Sequence, residues 1–427
     1  MDHLIVSVTS LPFRIRNFLR LLGLGLIALS AIVIVLAVDF SPAVPERMTP
    51  TAEQASLVRR QVQQIQAQLR GNNGRASIRM TPADLAGVAA LISALKKFGR
   101  VDAVVADNEL SIKTSRQFAF VWLNGEATIS PGKKGFPDTR FRVGDLSLGS
   151  PISRWMINRA IEVARGRGIA VPPVDDLVRS VRIDAKAVLL DIYLPLGGSF
   201  ANNISNFRTQ PIDARRTAAI YCRLVAENVD APTSDMALLV QRAFAGPTES
   251  NAIVEQNRAA FVALAMYAES TEAGRLAGDA AQRVRQCKGR NGEAILAGRT
   301  DLASHWALSA ALAVSLGDDV GRAMGEWKEL SDSRPGGSGF SFVDLAADRA
   351  GLVFARQASN PATAAATARN LRTATAEYLL PVRALALSEG LTERQFVSQF
   401  KALDSTQFNA ATSRIDAVLE KNEALSR

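Results

Sequence analysis

From Leu21 to Val38 eighteen consecutive residues carry no charge, and at the helical rise they reach about 27 Å, close to the hydrocarbon thickness of a bilayer. The pattern predicts a membrane-spanning anchor. Beyond it, Pro42, Pro45 and Pro50 punctuate a short stalk over residues 39–49, and Thr49-Pro50 reads as a helix start. Val58, Val62, Ile65 and Leu69 then recur at helical spacing with Arg59, Arg60 and several glutamines opposite, which predicts an amphipathic helix to about Arg70 lying on something apolar. Gly71 to Gly74 break the chain, and Thr81-Pro82 with Asp84 begins a second helix that ends near Gly99.

The period then changes from helical to alternating. Val101 to Ala106, Glu109 to Thr114, Arg116 to Asn124 and Arg140 to Val143 are short β-prone runs separated by turn residues, which predicts an antiparallel meander. Pro151 to Ala164 reads as a helix, and Val181 to Leu194 as a last pair of strands or one long strand. Together these make an α+β domain over residues 50–200. From Pro211 onward the pattern is helical, broken at glycines and prolines without a fixed period. Residues 201–427 are therefore expected to form an all-α domain, a compact bundle in preference to a solenoid.

Composition adds little to the class but narrows the partners. The chain has 427 residues, 48% of them hydrophobic, with a net charge of +9. Its basic residues are spread over helices, with no dense basic run, aromatic-interleaved basic strand or zinc-finger spacing, so a nucleic-acid partner is not expected. Near the anchor the charge has a direction: Arg14, Arg16 and Arg20 precede the apolar run, whereas Asp39 and Glu46 follow it. The positive-inside rule then places residues 1–20 as a cytoplasmic basic tail, residues 21–38 in the inner membrane and the remainder in the periplasm. A cleaved signal peptide is the competing reading, with Ser41 and Ala43 as the small-residue pair. Cysteines occur only at Cys222 and Cys287. An oxidising compartment lets them pair, and two buried free thiols are the alternative.

One stretch concentrates polar chemistry in otherwise apolar helices. It contains Asp301, His305 and Ser309, then Lys328, Glu329 and Asp332, then a glycine-serine loop from Gly336 to Gly339, then Asp344, Asp348 and Gly351. A histidine on one helix, a Lys-Glu-Leu run with an aspartate three residues past the glutamate, the loop, and an Asp-Leu-x-x-Asp helix reaching glycine resemble the YfiM-like periplasmic lipoproteins. The resemblance covers residues 300–355 and implies a cell-envelope compartment and the fold of one unit, not a reaction. A lipoprotein's lipid-bearing cysteine is missing here, so the tether differs.

His305 with Ser309, Glu329 with Asp332, and Asp344 with Asp348 are each about one turn apart. Three helices converging would bring these side chains to one polar centre. His305, Asp344 and Asp348 are the candidate ligands for a divalent metal, which could activate water. Without metal, Glu329 near His305 could act as a general base, with Asp332 as a further catalytic candidate. The blander reading is a structural network: Ser341 and Asp344 resemble a capping box, Lys328 and Glu329 pair outward, and His305 beside Trp306 is a satisfied core histidine. Glu255, Asn257 and Arg258 read as the solvated or capped start of an apolar helix.

The sequence thus describes a membrane-anchored envelope protein that binds an envelope protein or polymer, with a metal-assisted hydrolase as the competing function. A reporter active only outside the cytoplasm, fused after Arg427, is expected to be active. Activity of a cytoplasm-only reporter at that position reverses the topology.

Overall fold

The computed structural model describes residues 30–424, apart from 31, 34, 45, 47–48, 96–98, 167–171, 195–211, 247–251, 270–272, 275 and 288–291. The expected tail, and residues 21–29, 31 and 34 of the expected anchor, lie outside them. Among the described residues no helix is long and apolar enough to cross a membrane. Residues 32–33 and 35–37 are helical, but the apolar run does not remain helical to its end: Val38–Asp39 form a short strand, β1.

The fold is α+β with a helical C-terminal region. Helix α1 (Ala52–Gly71) starts at a capping box in which Thr51 and Gln54 serve each other's backbone N–H. Strand β2 (Arg75–Met80) follows, then α2 (Pro82–Ala94), whose capping box joins Thr81 and Asp84. The meander comprises β3 (Arg100–Ala106), β4 (Glu109–Phe118), β5 (Val121–Ile129), β6 (Thr139–Val143) and β7 (Leu146–Leu148), hydrogen-bonded in sequence order. Its chain crosses Arg116–Asn124 as a hairpin, not as the single strand expected, because Ala119 enters the left-handed region at φ 53° and turns it.

Helix α3 (Ser150–Gly166) leads to β8 (Val178–Asp184) and β9 (Ala187–Tyr193), and β2, missed in the sequence pattern, pairs with β9 in a second sheet of order β2-β9-β8. Leu85 of α2 packs with Leu110, Val181, Ile183 and Val188, so the helix and both sheets share a small apolar core. Residues 39–44 lie along the meander. The Ala43 N–H donates to Asn124 Oδ1, the Val44 N–H donates to Ser115 Oγ, and Val44 is buried.

The helical region holds α4 (Ala214–Asp230), α5 (Met236–Phe244), α6 (Ile253–Ala268), α7 (Thr300–Leu316), α8 (Asp318–Asp332), α9 (Phe342–Ser359) and α10 (Thr406–Ala424), with shorter helices between them. Alanine-rich faces pack closely around Trp306, which sits between Phe261 and Phe354 at 5.9 and 5.7 Å. The apolar face of α1 finds its partner here. Ala52, Ala55 and Val58 belong to this core, and Arg59 on the flank pairs with Asp332 at 2.7 Å.

Asn257 and Arg258 are corrected from an exposed helix end to buried positions. Asn257 Nδ2 donates to the Ala358 and Ala364 carbonyls, and the Arg258 guanidinium donates to the Val314 carbonyl at the end of α7. The Ala358 and Val314 carbonyls lie in the last turns of their helices, where carbonyls lack a helical partner.

Cys222 on α4 is disulfide-bonded to Cys287, with Cα atoms 5.1 Å apart. Loop-closure entropy for a bridge across this separation amounts to roughly 4 kcal/mol. Replacing both cysteines by serine is expected to lower the unfolding free energy by that order, read from urea unfolding. An unchanged midpoint would refute the contribution.

Candidate functional site

Three helices bring the predicted polar side chains together. Helix α7 supplies His305 and Ser309, α8 supplies Glu329, and α9 supplies Asp344 and Asp348. Helices α7 and α9 cross closely because Gly351 has no side chain: a Cβ there would overlap the Trp306 carbonyl. Gly325 of α8 does the same for the Asp348 carboxylate.

His305 is the hub. Its Nδ1 lies 3.0 Å from Asp348 Oδ1, and because a carboxylate only accepts, the ring nitrogen carries the proton. Ser309 Oγ donates to the same oxygen at 2.7 Å. On the other side of the ring, Nε2 is 3.4 Å from Asp344 Oδ2 and 3.8 Å from Glu329 Oε1. His305 is 8% exposed, Glu329 0% and Asp348 4%, so the centre is closed off from water.

A second ring of cations surrounds the carboxylates. Lys328 Nζ contacts Glu329 Oε1 at 2.9 Å and Asp332 Oδ2 at 3.0 Å. Arg299, which no local pattern in the sequence marks, reaches Asp344 at 3.1 Å while also binding Asp301 and Glu389. The Lys328–Glu329 pair exists but does not point outward as expected, since Glu329 is fully buried and faces the centre. Asp332 is the candidate that the structure leaves outside: it bridges Lys328 to Arg59 of α1 and does not reach His305 directly.

The expected capping box is also rearranged. Ser341 Oγ accepts the Asp344 N–H, but the Ser341 N–H donates to Glu329 Oε2 from α8, not to Asp344. The Asp344 side chain is thereby free to face His305 and Arg299.

Burial works against a charged imidazole, yet the charge and hydrogen bond of Asp348, aided by Asp344, outweigh it and push the His305 pKa up to about 9; Lys328 opposes this rise. Burial pushes Glu329 up to about 7 against the pull of Lys328 and His305, and it raises Asp344 against His305. Around neutrality His305 is thus an imidazolium and Glu329 is about half protonated, with Lys328 and Arg299 as the flanking cations.

His305 with Glu329 and Asp344 also offers three donor atoms within 4.8 Å of one another. Asp348 on Nδ1 is the kind of outer carboxylate that orients metal-bound imidazoles. In this set Asp348 is an orienting partner in place of the ligand role expected of it, and Glu329 takes the third position. Metal entry would have to displace the His305 proton and compete with Lys328 for Glu329 Oε1.

Comparison with family models, with curated proteins and with solved structures returned no match.

The pH dependence follows from the raised pKa values. An imidazole that moves from 6.5 to about 9 stabilises the fold fully below pH 6.5 and loses that effect as pH rises through 9. Glu329, raised from 4.5 to about 7, favours the fold in its neutral form, so its contribution fades as pH climbs from 4.5 to 7. The urea midpoint is expected to fall from pH 6.5 to 9, and His305→Asn to flatten that limb. An equally steep limb in the variant would exclude His305 as its origin.

Proposed function

We propose that the chain is a single-pass envelope protein of the inner membrane, with its exported α+β and helical parts serving as a binding or assembly module for an envelope protein or polymer. In this reading the His305 centre locks three helices and performs no turnover. The observation that carries it is closure: the imidazole and its carboxylates are buried, and all but Asp348 Oδ2, which has no partner, are met by Lys328, Arg299, Ser309 and the Ser341 N–H. The resemblance of residues 300–355 to YfiM-like periplasmic lipoproteins agrees with the compartment. The uncharged run from Leu21 and the basic residues before it support the anchor and its direction.

The second reading, a membrane-tethered metal-assisted hydrolase, is favoured by one observation, the three donors His305, Glu329 and Asp344 within 4.8 Å. Catalytic zinc sites generally recruit more than one nitrogen or sulfur ligand, and this cluster has one. The two readings diverge on His305→Ala. Elemental analysis of the purified full chain should find no stoichiometric divalent metal, and the variant should lose about 3 kcal/mol of unfolding free energy, because it leaves buried carboxylates without their cation. Stoichiometric metal that disappears in a variant of near-normal stability would overturn the structural role and favour the hydrolase.

A further inference from the structure

The β4–β5 hairpin breaks a local rule at its tip. Phe118 pairs with Val121, so the connection has only two central residues, Ala119 and Phe120. The first is at φ 53°, a conformation usually given to glycine in a two-residue turn. The second is a phenylalanine 79% exposed to solvent.

Its neighbours make this more than one stray aromatic. Strand β1 pairs with β5 through Val38 opposite Leu123 and Asp39 opposite Trp122. By the two-residue alternation of strands, Val38, Leu123 and Arg116 share one face with Val121 and Phe118. Phe40, two residues beyond Val38 and 84% exposed, continues toward the tip, and Phe118 and Leu123 are exposed as well. The Arg116 guanidinium lies 5.0 Å over the Phe118 ring and Arg100 lies 4.5 Å over Trp122. Asp39 and Asp145 are the acids nearby, and Asp39 accepts a hydrogen bond from Asn124 Nδ2.

The place where the apolar N-terminal run enters decides what covers this surface. In an up-and-down meander the β4–β5 and β6–β7 turns fall at the same end of the sheet. The Leu36 carbonyl accepts the N–H of Asp145 in the β6–β7 turn, so the run enters at that end. Just before it, Ile32, Val33, Val35 and Leu36 are helical and exposed. These bonds to β5 and to the turn hold residues 36–39 of the run against the sheet.

We propose that this end of the sheet is a second membrane contact, in which Phe120, Phe118 and Phe40 enter the headgroup region of the bilayer that holds the N-terminal run and Arg116 meets lipid phosphates. It rests on the anchor reading above. Burial by about 5–10 Å is the depth usual for interfacial aromatic groups flanked by basic ones.

The test uses the full chain in vesicles of phosphatidylethanolamine and phosphatidylglycerol, with an environment-sensitive NBD label on Phe120→Cys and, separately, on Phe40→Cys. Val382→Cys, exposed on the helical region, is the control. The native cysteines are bridged and do not label. Both sheet labels are expected to emit at shorter wavelength and to lose roughly half their intensity with spin-labelled acyl chains, whereas the control changes little. If the chain floats with the vesicles but both sheet labels behave like the control, the contact is overturned and the anchor stands. If one substitution prevents folding, the other label decides. Unmodified chain that stays out of the vesicle fraction overturns both.

Discussion

The helical region is organised around a positive charge kept out of water. An imidazolium in a closed interior is costly unless acids are fixed around it, and here two helices bring them to a third: Asp348 and Asp344 from α9 and Glu329 from α8 surround His305 of α7. None of these groups can be satisfied unless all three helices are in register. The centre therefore specifies one packing among the many that alanine-rich faces, which interlock weakly by shape, would otherwise allow.

Close approach is the second condition. Gly351 lets α9 reach the backbone of α7, and Gly325 gives the Asp348 carboxylate its space. The same economy appears at helix ends, where Asn257 and Arg258 reach across the core to serve the carbonyls of Ala358, Ala364 and Val314. Glu329 performs a comparable service at the start of α9 through the Ser341 N–H. Polar side chains in this core act mainly as fasteners between helices.

Helix α1 connects that core to the sheets. Its apolar face enters the helical region, while Gln61 Nε2 and Gln68 Oε1 hydrogen-bond Arg79 and Ser77 of β2. Arg59 joins it to Asp332 and, through Lys328, to the charged centre.

Periodicity alone indicated α1, part of the meander and the change to helices beyond residue 211, and it put His305, Glu329, Asp344 and Asp348 on helix faces able to converge, because one-turn spacings and alternation are local properties of the chain; β2 and the turn at Ala119 escaped it. The Cys222–Cys287 bridge was legible as a possibility from the count of cysteines, and its distance was not. Tertiary structure decided the rest. It sent Asp332 to Arg59, more than 270 residues away in the chain, because α1 packs against α8, and it brought Arg299 to Asp344 across a separation of 45 residues. It buried Asn257 and Arg258, which local polarity had placed at the surface, since only the assembled core reveals the carbonyls awaiting a donor. It also turned Glu329 inward: a Lys-Glu pair on one helix looks the same in sequence whichever side faces water, and the side is fixed by what packs against it.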